Sequence, residues 1–301
     1  MTYLRYILLG LLLLAFACQS SDENDEETQQ NVEVTEEDEG IHPGLSVDLP
    51  EIGEVDYEEE EPRRVDFEAP KEQEIAEEAD LPRPSVAVPD FRNVPAGDER
   101  RNLFVQFLTP IIEAENAKIE RKRYLIAQKY RGVQDGGELS EEDEQWLKDL
   151  ARKYRTKNRD FPSDEAFRDL FMHVDIIPVP LAIVQAANET AWGTSRFARL
   201  GNNFFGKWCF TQGCGIVPAA RSAGATHEVQ VYPTVAESTA DYMHHVNSHP
   251  GYYELRERRY NQRLNNEEPD GHHIAVGLKN YSAIGMEYVN ILRNMMDRLP
   301  S

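Results

Sequence analysis

Apolar positions recur at three- and four-residue steps through most of the chain beyond Asp98. Leu103, Phe104, Phe107, Leu108, Ile111 and Ile112 mark one helix face, and Ile119 resumes it after a more polar turn. Pro110 interrupts this run, so the pattern predicts either a kink in one long helix or a second helix with Thr109 as its cap. Gly136–Gly137 closes the unit. Ser140 with Asp143 opens a helix through Trp146, Leu147, Leu150 and Tyr154, and Ser163 opens another through Phe167, Leu170, Phe171 and Val174. Ile176 to Pro180 reads as extended, because each proline biases its predecessor away from helix.

Pro180 suits a first helical turn, and Leu181, Ile183, Val184 and Ala187 then make a buried stripe. Thr194 or Ser195 caps the next short helix, with Phe197, Ala198 and Leu200 inward and Gly201 as terminator. Residues 204–232 lose the helical period. Val229 and Val231 alternate with Glu228, Gln230 and Tyr232, as in a strand of a small sheet. Thr234 and Glu237 form a capping box for a helix to about Asn247, which Pro250–Gly251 breaks. Further helices read as Tyr252 to Tyr260, His272 to Leu278 and Ile284 to Leu299. No internal repeat is present. The pattern describes a mostly helical domain with one small sheet inserted after the central helix.

Charge divides the chain. The 301 residues carry a net charge of −22, and residues 21–80 alone hold 25 Asp/Glu against 3 Lys/Arg. The remainder is neutral, so the acidity belongs to one segment and not to the folded part. Residues 19–95, rich in Glu, Asp and Pro and poor in aromatics, read as a disordered tether. No basic patch stands out, which argues against a nucleic-acid partner.

Before the tether, Arg5 precedes an apolar run from Ile7 to Ala17, too short for an ordinary spanning helix. Ala15, Phe16 and Ala17 followed by Cys18 resemble a bacterial lipobox, whose cysteine is lipidated after cleavage; an ordinary secretory signal is the alternative. Residues 1–18 are thus expected to be a lipoprotein signal. Gln19, in place of the aspartate that marks inner-membrane retention in enteric bacteria, points to outer-membrane attachment facing the periplasm. The domain is expected over 96–301, with a helical part to 175 and a core from 176.

With Cys18 set aside, Cys209 and Cys214 form an even pair in an exported context, and a disulfide is the preferred reading. Two free thiols or a zinc pair are the alternatives. His244, His245 and His249 cluster, but the helix is ending at Pro250 and no HExxH is present, so no metal is expected. GxSxG, Walker A and GxGxxG patterns are absent, and no cofactor is expected.

The chemistry centres on Glu189, the one ionisable group at the end of the apolar helix, next to Trp192. Partial burial raises a carboxyl pKa, and a protonated carboxylic acid can donate to a leaving oxygen in glycosidic cleavage. A local cap or surface pair is the plainer reading of such a position. The surrounding sequence decides between them. Ala186-Ala187-Asn188-Glu189-Thr190-Ala191-Trp192-Gly193, followed by Asn202-Asn203-Phe204-Phe205-Gly206, resembles the central motif of the glucosaminidases of glycoside hydrolase family 73, in their Bax-like branch. Asn188, Thr190 and Phe204 depart from the usual residues, whereas Glu189, Trp192 and Gly193 match.

The resemblance runs from about Phe104 to the C-terminus and implies a lysozyme-like α+β fold. It makes Glu189 the general acid and places a second carboxylate in the small sheet, where Glu228 stands; Glu237 and Asp241 are the alternatives, although capping explains Glu237 more simply. It also places a functional tyrosine at Tyr281, with Tyr288 as competitor. Trp192, Asn203, Phe205, Trp208 and Tyr232 are the candidates for sugar contact, although core packing is an equal explanation for Phe205. The expected function is a monomeric, lipid-anchored hydrolase of peptidoglycan strands, cleaving after N-acetylglucosamine. A lytic transglycosylase, needing a single carboxyl group, and a non-catalytic glycan-binding module on the same fold are the alternatives.

Overall fold

A computed structural model describes residues 87–300, apart from 220, 222 and 223. Cys18 and almost all of the expected tether lie outside the described residues. Nine α-helices and three short strands follow one another in the described part. The arrangement is mostly helical with one small antiparallel sheet, an α+β fold of the lysozyme-like kind.

The first helix, α1 (Asp98–Gln134), continues unbroken through Pro110. The proline and Gln106, whose carbonyl loses its helical donor, are both exposed, so water takes the place of the missing N–H. α2 (Glu141–Lys153) and α3 (Asp164–His173) start at Ser140 and Ser163, whose hydroxyls accept from the Asp143 and Ala166 amides at 3.1 and 3.3 Å.

The segment from Asp175 to Pro178 is extended, and buried side chains from three helices clamp its backbone. Asn116 of α1 brackets Ile177, donating to its carbonyl at 2.8 Å and accepting from its amide at 3.1 Å. Asn247, on a later helix, donates to the Asp175 carbonyl at 2.9 Å. Arg259 reaches the carbonyls of Met172, Asp175 and Ile176. The Asp175 carboxylate, 1% exposed, lies among Arg123, Arg259 and Arg263, the last binding both of its oxygens at 3.1 and 3.2 Å. An ionised carboxylate survives at such depth only when surrounded in this way. This clamp fixes the entry of the next helix.

That helix, α4 (Val179–Thr190), starts with Pro180 in its first turn. Every side chain from Leu181 to Ala187 is buried, so the helix runs through the core between α1 and the C-terminal helix. Its end is abrupt. Ala191, Trp192 and Gly193 all have positive φ, at 48°, 59° and 78°. Thr190 ties the turn by donating to the Ala186 carbonyl at 2.6 Å and accepting from the Gly193 amide at 2.9 Å. A β-carbon on Gly193 would lie 2.3 Å from the Phe91 ring, so only glycine fits there.

Ser195 caps α5 (Arg196–Gly201), and Asn202, not Gly201, takes the left-handed residue that ends it. Gly201 matters instead for closeness, since a β-carbon there would press on Ile216 and Val231. Leu200, expected inward, is 61% exposed. A six-residue helix buries few positions, and Ala198 and Gly201 take the inward ones.

The sheet has the order β1 (Trp208–Cys209), β3 (Glu228–Gln230), β2 (Gly215–Ile216), all antiparallel. Trp208 pairs with Val229, and Cys209 with Glu228. The expected strand is shorter than the alternation suggested: Val231 lies beyond it and is 42% exposed. Cys209 and Cys214 are joined by a disulfide. Four helices follow: α6 (Val235–Ser248), α7 (Tyr253–Leu264), α8 (Gly271–Ile274) and α9 (Met286–Met296). Thr234 caps α6, and the last helix begins at Met286, because Gly285 has φ 54° and sets its start.

Candidate active site

Glu189 occupies the last turn of α4, where the buried helix meets the three left-handed residues that follow. Its side chain is half-buried: an opening to solvent remains, but protein crowds the carboxyl on its other sides. Burial therefore pushes its pKa up, to about 7, against the opposing effect of hydrogen bonds from Asn188 and Tyr288. The Tyr288 hydroxyl lies 3.3 Å and Asn188 Nδ2 3.4 Å from the same oxygen, Oε1. A carboxyl in this state keeps its proton up to neutral pH and is chemically suited to act as an acid.

Behind Glu189 lies a layer of buried rings and one amide. Gln185, one helical turn earlier and fully buried, donates to the Tyr288 oxygen at 3.4 Å and accepts a short hydrogen bond from Tyr242. Tyr281 stacks on Tyr288 with ring centroids 5.6 Å apart, and its hydroxyl donates to the Phe205 carbonyl at 3.0 Å. Phe205 in turn stacks on Tyr242 at 4.0 Å. Of the two candidate tyrosines, Tyr288 is thus the one with a hydrogen bond to Glu189, while Tyr281 supports the layer from within. Gln185 and Tyr242 escaped the sequence-based set of site residues, and Tyr288 stood in it only as the competitor of Tyr281. The available signal was the i−4 spacing of Gln185 from Glu189, which puts both on one helix face.

The other candidates fall into two groups. Asn203, Phe205, Tyr232 and Tyr281 are buried, at 1%, 3%, 6% and 4% exposure, which revises the expectation that the first three meet a sugar directly. Asn203 spends its whole amide on backbone: it donates to the Lys207 and Gln230 carbonyls and accepts from the Lys207 amide. It thereby pins the loop after Phe204-Phe205 to the sheet. Tyr232 donates to Asp241 at 2.6 Å. Trp192 and Trp208 are the partly exposed aromatics. Trp192 sets its ring edge-on to Phe104 at 5.5 Å. Trp208 lies flat on His227, with centroids 3.9 Å apart and planes within 7°, so one indole face is covered by the imidazole.

The sequence that builds this site has counterparts among known proteins. A family model described as mannosyl-glycoprotein endo-beta-N-acetylglucosaminidase matches residues 164–300. Protein bax of Escherichia coli (strain K12) is 32% identical over 209 residues, spanning 69% of this chain and 73% of that protein. The chain belongs to the Bax-like glucosaminidase family. No solved structure matches. The matched region opens at α3 and holds every candidate from Glu189 to Tyr288, while α1 and α2 precede it.

Within this Bax-like domain, Glu228 is the carboxylate of the sheet. It is 5% exposed, and both of its oxygens are engaged: Oε1 accepts from the Gly213 amide at 3.1 Å and Oε2 from the Gly215 amide at 2.8 Å. These two backbone donors hold its pKa below the usual carboxylate range. The two carboxyl groups are therefore pushed in opposite directions, Glu189 towards its acid form and Glu228 towards its ionised form. Glu228 also fastens the disulfide loop to β3 across the strand pair. Among the described residues, no group of three His, Cys, Asp or Glu side chains is placed to hold a metal ion.

Proposed function

We propose that this protein is a peptidoglycan hydrolase that cleaves the β-1,4 bond after N-acetylglucosamine, with Glu189 as the general acid. The observation that carries the reading is Glu189 itself: a half-open carboxyl at the end of a buried helix, held to about 7 by its surroundings. Membership of a glucosaminidase family supplies the glycosidase class. In the reaction Glu189 gives its proton to the glycosidic oxygen as the bond to the anomeric carbon breaks. Water then adds at that carbon, and its surplus proton returns to the Glu189 carboxylate.

Trp192 and Trp208 offer partly exposed indoles for the sugar rings, Asn203 pins the loop leading to Trp208 onto the sheet, and Phe205 and Tyr281 belong to the layer behind Glu189. Glu228 contributes as an ionised carboxylate that anchors the loop of Gly213 and Gly215. Any water it activates has to approach lone pairs those amides leave over. This engagement favours one second reading, a lytic transglycosylase, which needs no second carboxylate. In both readings Cys18 carries the lipid anchor and the acidic segment spans from an outer membrane to the domain.

The test is digestion of purified sacculi by the protein and its Glu189→Gln variant. Soluble fragments released only by the unsubstituted protein support the acid role, and equal release by both removes it. Reducing N-acetylglucosamine ends mark the glucosaminidase, anhydro-muramic ends the transglycosylase. Retention on sacculi without release marks a binding module. Membrane fractionation of Cys18→Ser tests the anchor, which predicts that the variant moves to the soluble fraction.

A further inference from the structure

The hydrogen bonds behind Glu189 have a direction, and the direction determines which oxygen of the acid holds the proton. Tyr242 of α6 donates to Gln185 Oε1. The amide nitrogen of Gln185 is thereby turned to the opposite side, where it lies 3.4 Å from the Tyr288 oxygen of α9. Tyr288 has one hydrogen, and with its oxygen accepting from Gln185 that hydrogen is free for Glu189 Oε1, 3.3 Å away. Asn188 donates to the same Oε1 at 3.4 Å. An oxygen that faces two donors cannot itself bear a hydrogen without setting hydrogen against hydrogen. The other oxygen, Oε2, has no hydrogen bond among the described residues.

We propose that Gln185 is a positioning residue: its amide, fixed by Tyr242, turns the Tyr288 hydroxyl onto Glu189 Oε1 and leaves Oε2 to carry the transferable proton. The amide is a two-position element. Rotated by half a turn, it would present its oxygen to Tyr288, draw the phenol hydrogen away and free Oε1 for the proton. Tyr242 holds it in the productive position. All three residues are buried, so water does not compete for these bonds. The titratable groups around Glu189 are the phenols of Tyr242, Tyr252, Tyr281 and Tyr288. Burial raises each of them above its ordinary value, so all stay neutral and act only through their hydroxyls.

The inference rests on Glu189 as the acid, but its test is independent of turnover. The Glu189 carboxyl is titrated by carbon NMR in the full-length protein, its signal assigned by loss in Glu189→Gln. Tyr288 donates to the ionised form, so Tyr288→Phe should raise the Glu189 pKa by about one unit. Gln185→Met and Tyr242→Phe should each raise it by about half a unit while Tyr288 is present. In the Tyr288→Phe background, Tyr242→Phe should change nothing further.

The same variants should shift the alkaline limb of the pH–rate profile upward and lower kcat several-fold with KM little changed. A Glu189 pKa unmoved by both Gln185→Met and Tyr242→Phe would overturn the proposal. So would a Tyr242→Phe shift of equal size with and without Tyr288, since the effect would then not pass through the relay. If instead Glu189→Gln releases sacculus fragments normally, the functional reading fails while the relay stands or falls on the titration alone.

Discussion

Replacing Glu189 by Gln should stabilise the fold, and only at high pH. The folded carboxyl has a pKa of about 7 against an ordinary value of 4.5. Below 4.5 both folded and unfolded chains hold the proton, and Glu189 costs nothing. Between 4.5 and 7 the unfolded chain loses its proton while the folded one retains it, so stability falls as pH rises through this window. Above 7 the full penalty applies. The gap of roughly 2.5 units corresponds to about 3 kcal/mol at 1.36 kcal/mol per unit, and the opening to solvent reduces this to about 2–3 kcal/mol.

Gln keeps an oxygen for the Tyr288 and Asn188 donors but carries no charge, so it escapes the penalty. For a domain of this size the gain amounts to about 5–10 °C in Tm. The assay is thermal unfolding of both proteins at pH 4.5 and pH 8. Glu189→Gln should melt higher at pH 8 and within about 2 °C of the parent at pH 4.5. Equal melting at pH 8, or a gap of the same size at both pH values, would refute the argument that burial holds this carboxyl in its acid form.

Three further outcomes follow from the packing. Asp175→Ala leaves Arg259 and two neighbouring guanidinium groups without their buried counter-ion and should cost about 3–5 kcal/mol by urea unfolding. Gly193→Ala meets both a φ of 78° and a contact of 2.3 Å with Phe91, so it should cost at least about 3 kcal/mol and lower soluble yield. Glu228→Gln sets an amide NH2 against a backbone N–H in the loop of Gly213 and Gly215. It should speed hydrogen exchange at those two amides about tenfold or more and lower stability by about 1–3 kcal/mol.

Much of the fold was readable because local signals agreed with the tertiary ones. Ser140, Ser163 and Thr234 stand as caps where the polar-to-apolar switch placed them, and Ser195 fills the cap left open between it and Thr194. Exceptions arose where position relative to other elements decides. Pro110 could not be read as kink or break, because that depends on whether its freed carbonyl meets water. Leu200 looked inward by period, but a helix of six residues has too few turns to enforce its pattern. The place of Glu189 at the end of its buried helix was legible because the apolar run and the residues after it form one continuous stretch. The layer behind it was not. Tyr281 and Tyr288 lie seven residues apart at the mouth of the last helix, and nothing local says which of them reaches a helix a hundred residues earlier. Gln185 takes its meaning from Tyr242 and Tyr288, both distant in sequence. The engagement of Glu228 with Gly213 and Gly215 likewise needs the disulfide loop closed before it can be seen.

The central claim is that Glu189 donates the proton that breaks a glycan bond. It is tested most directly by end-group analysis of sacculi digested by the full-length protein and by Glu189→Gln, with new reducing ends labelled by borohydride and identified by mass. The account predicts labelled N-acetylglucosamine ends from the unsubstituted protein and a loss of about a hundredfold or more in the variant. Labelled ends appearing at the same rate from both proteins would contradict it.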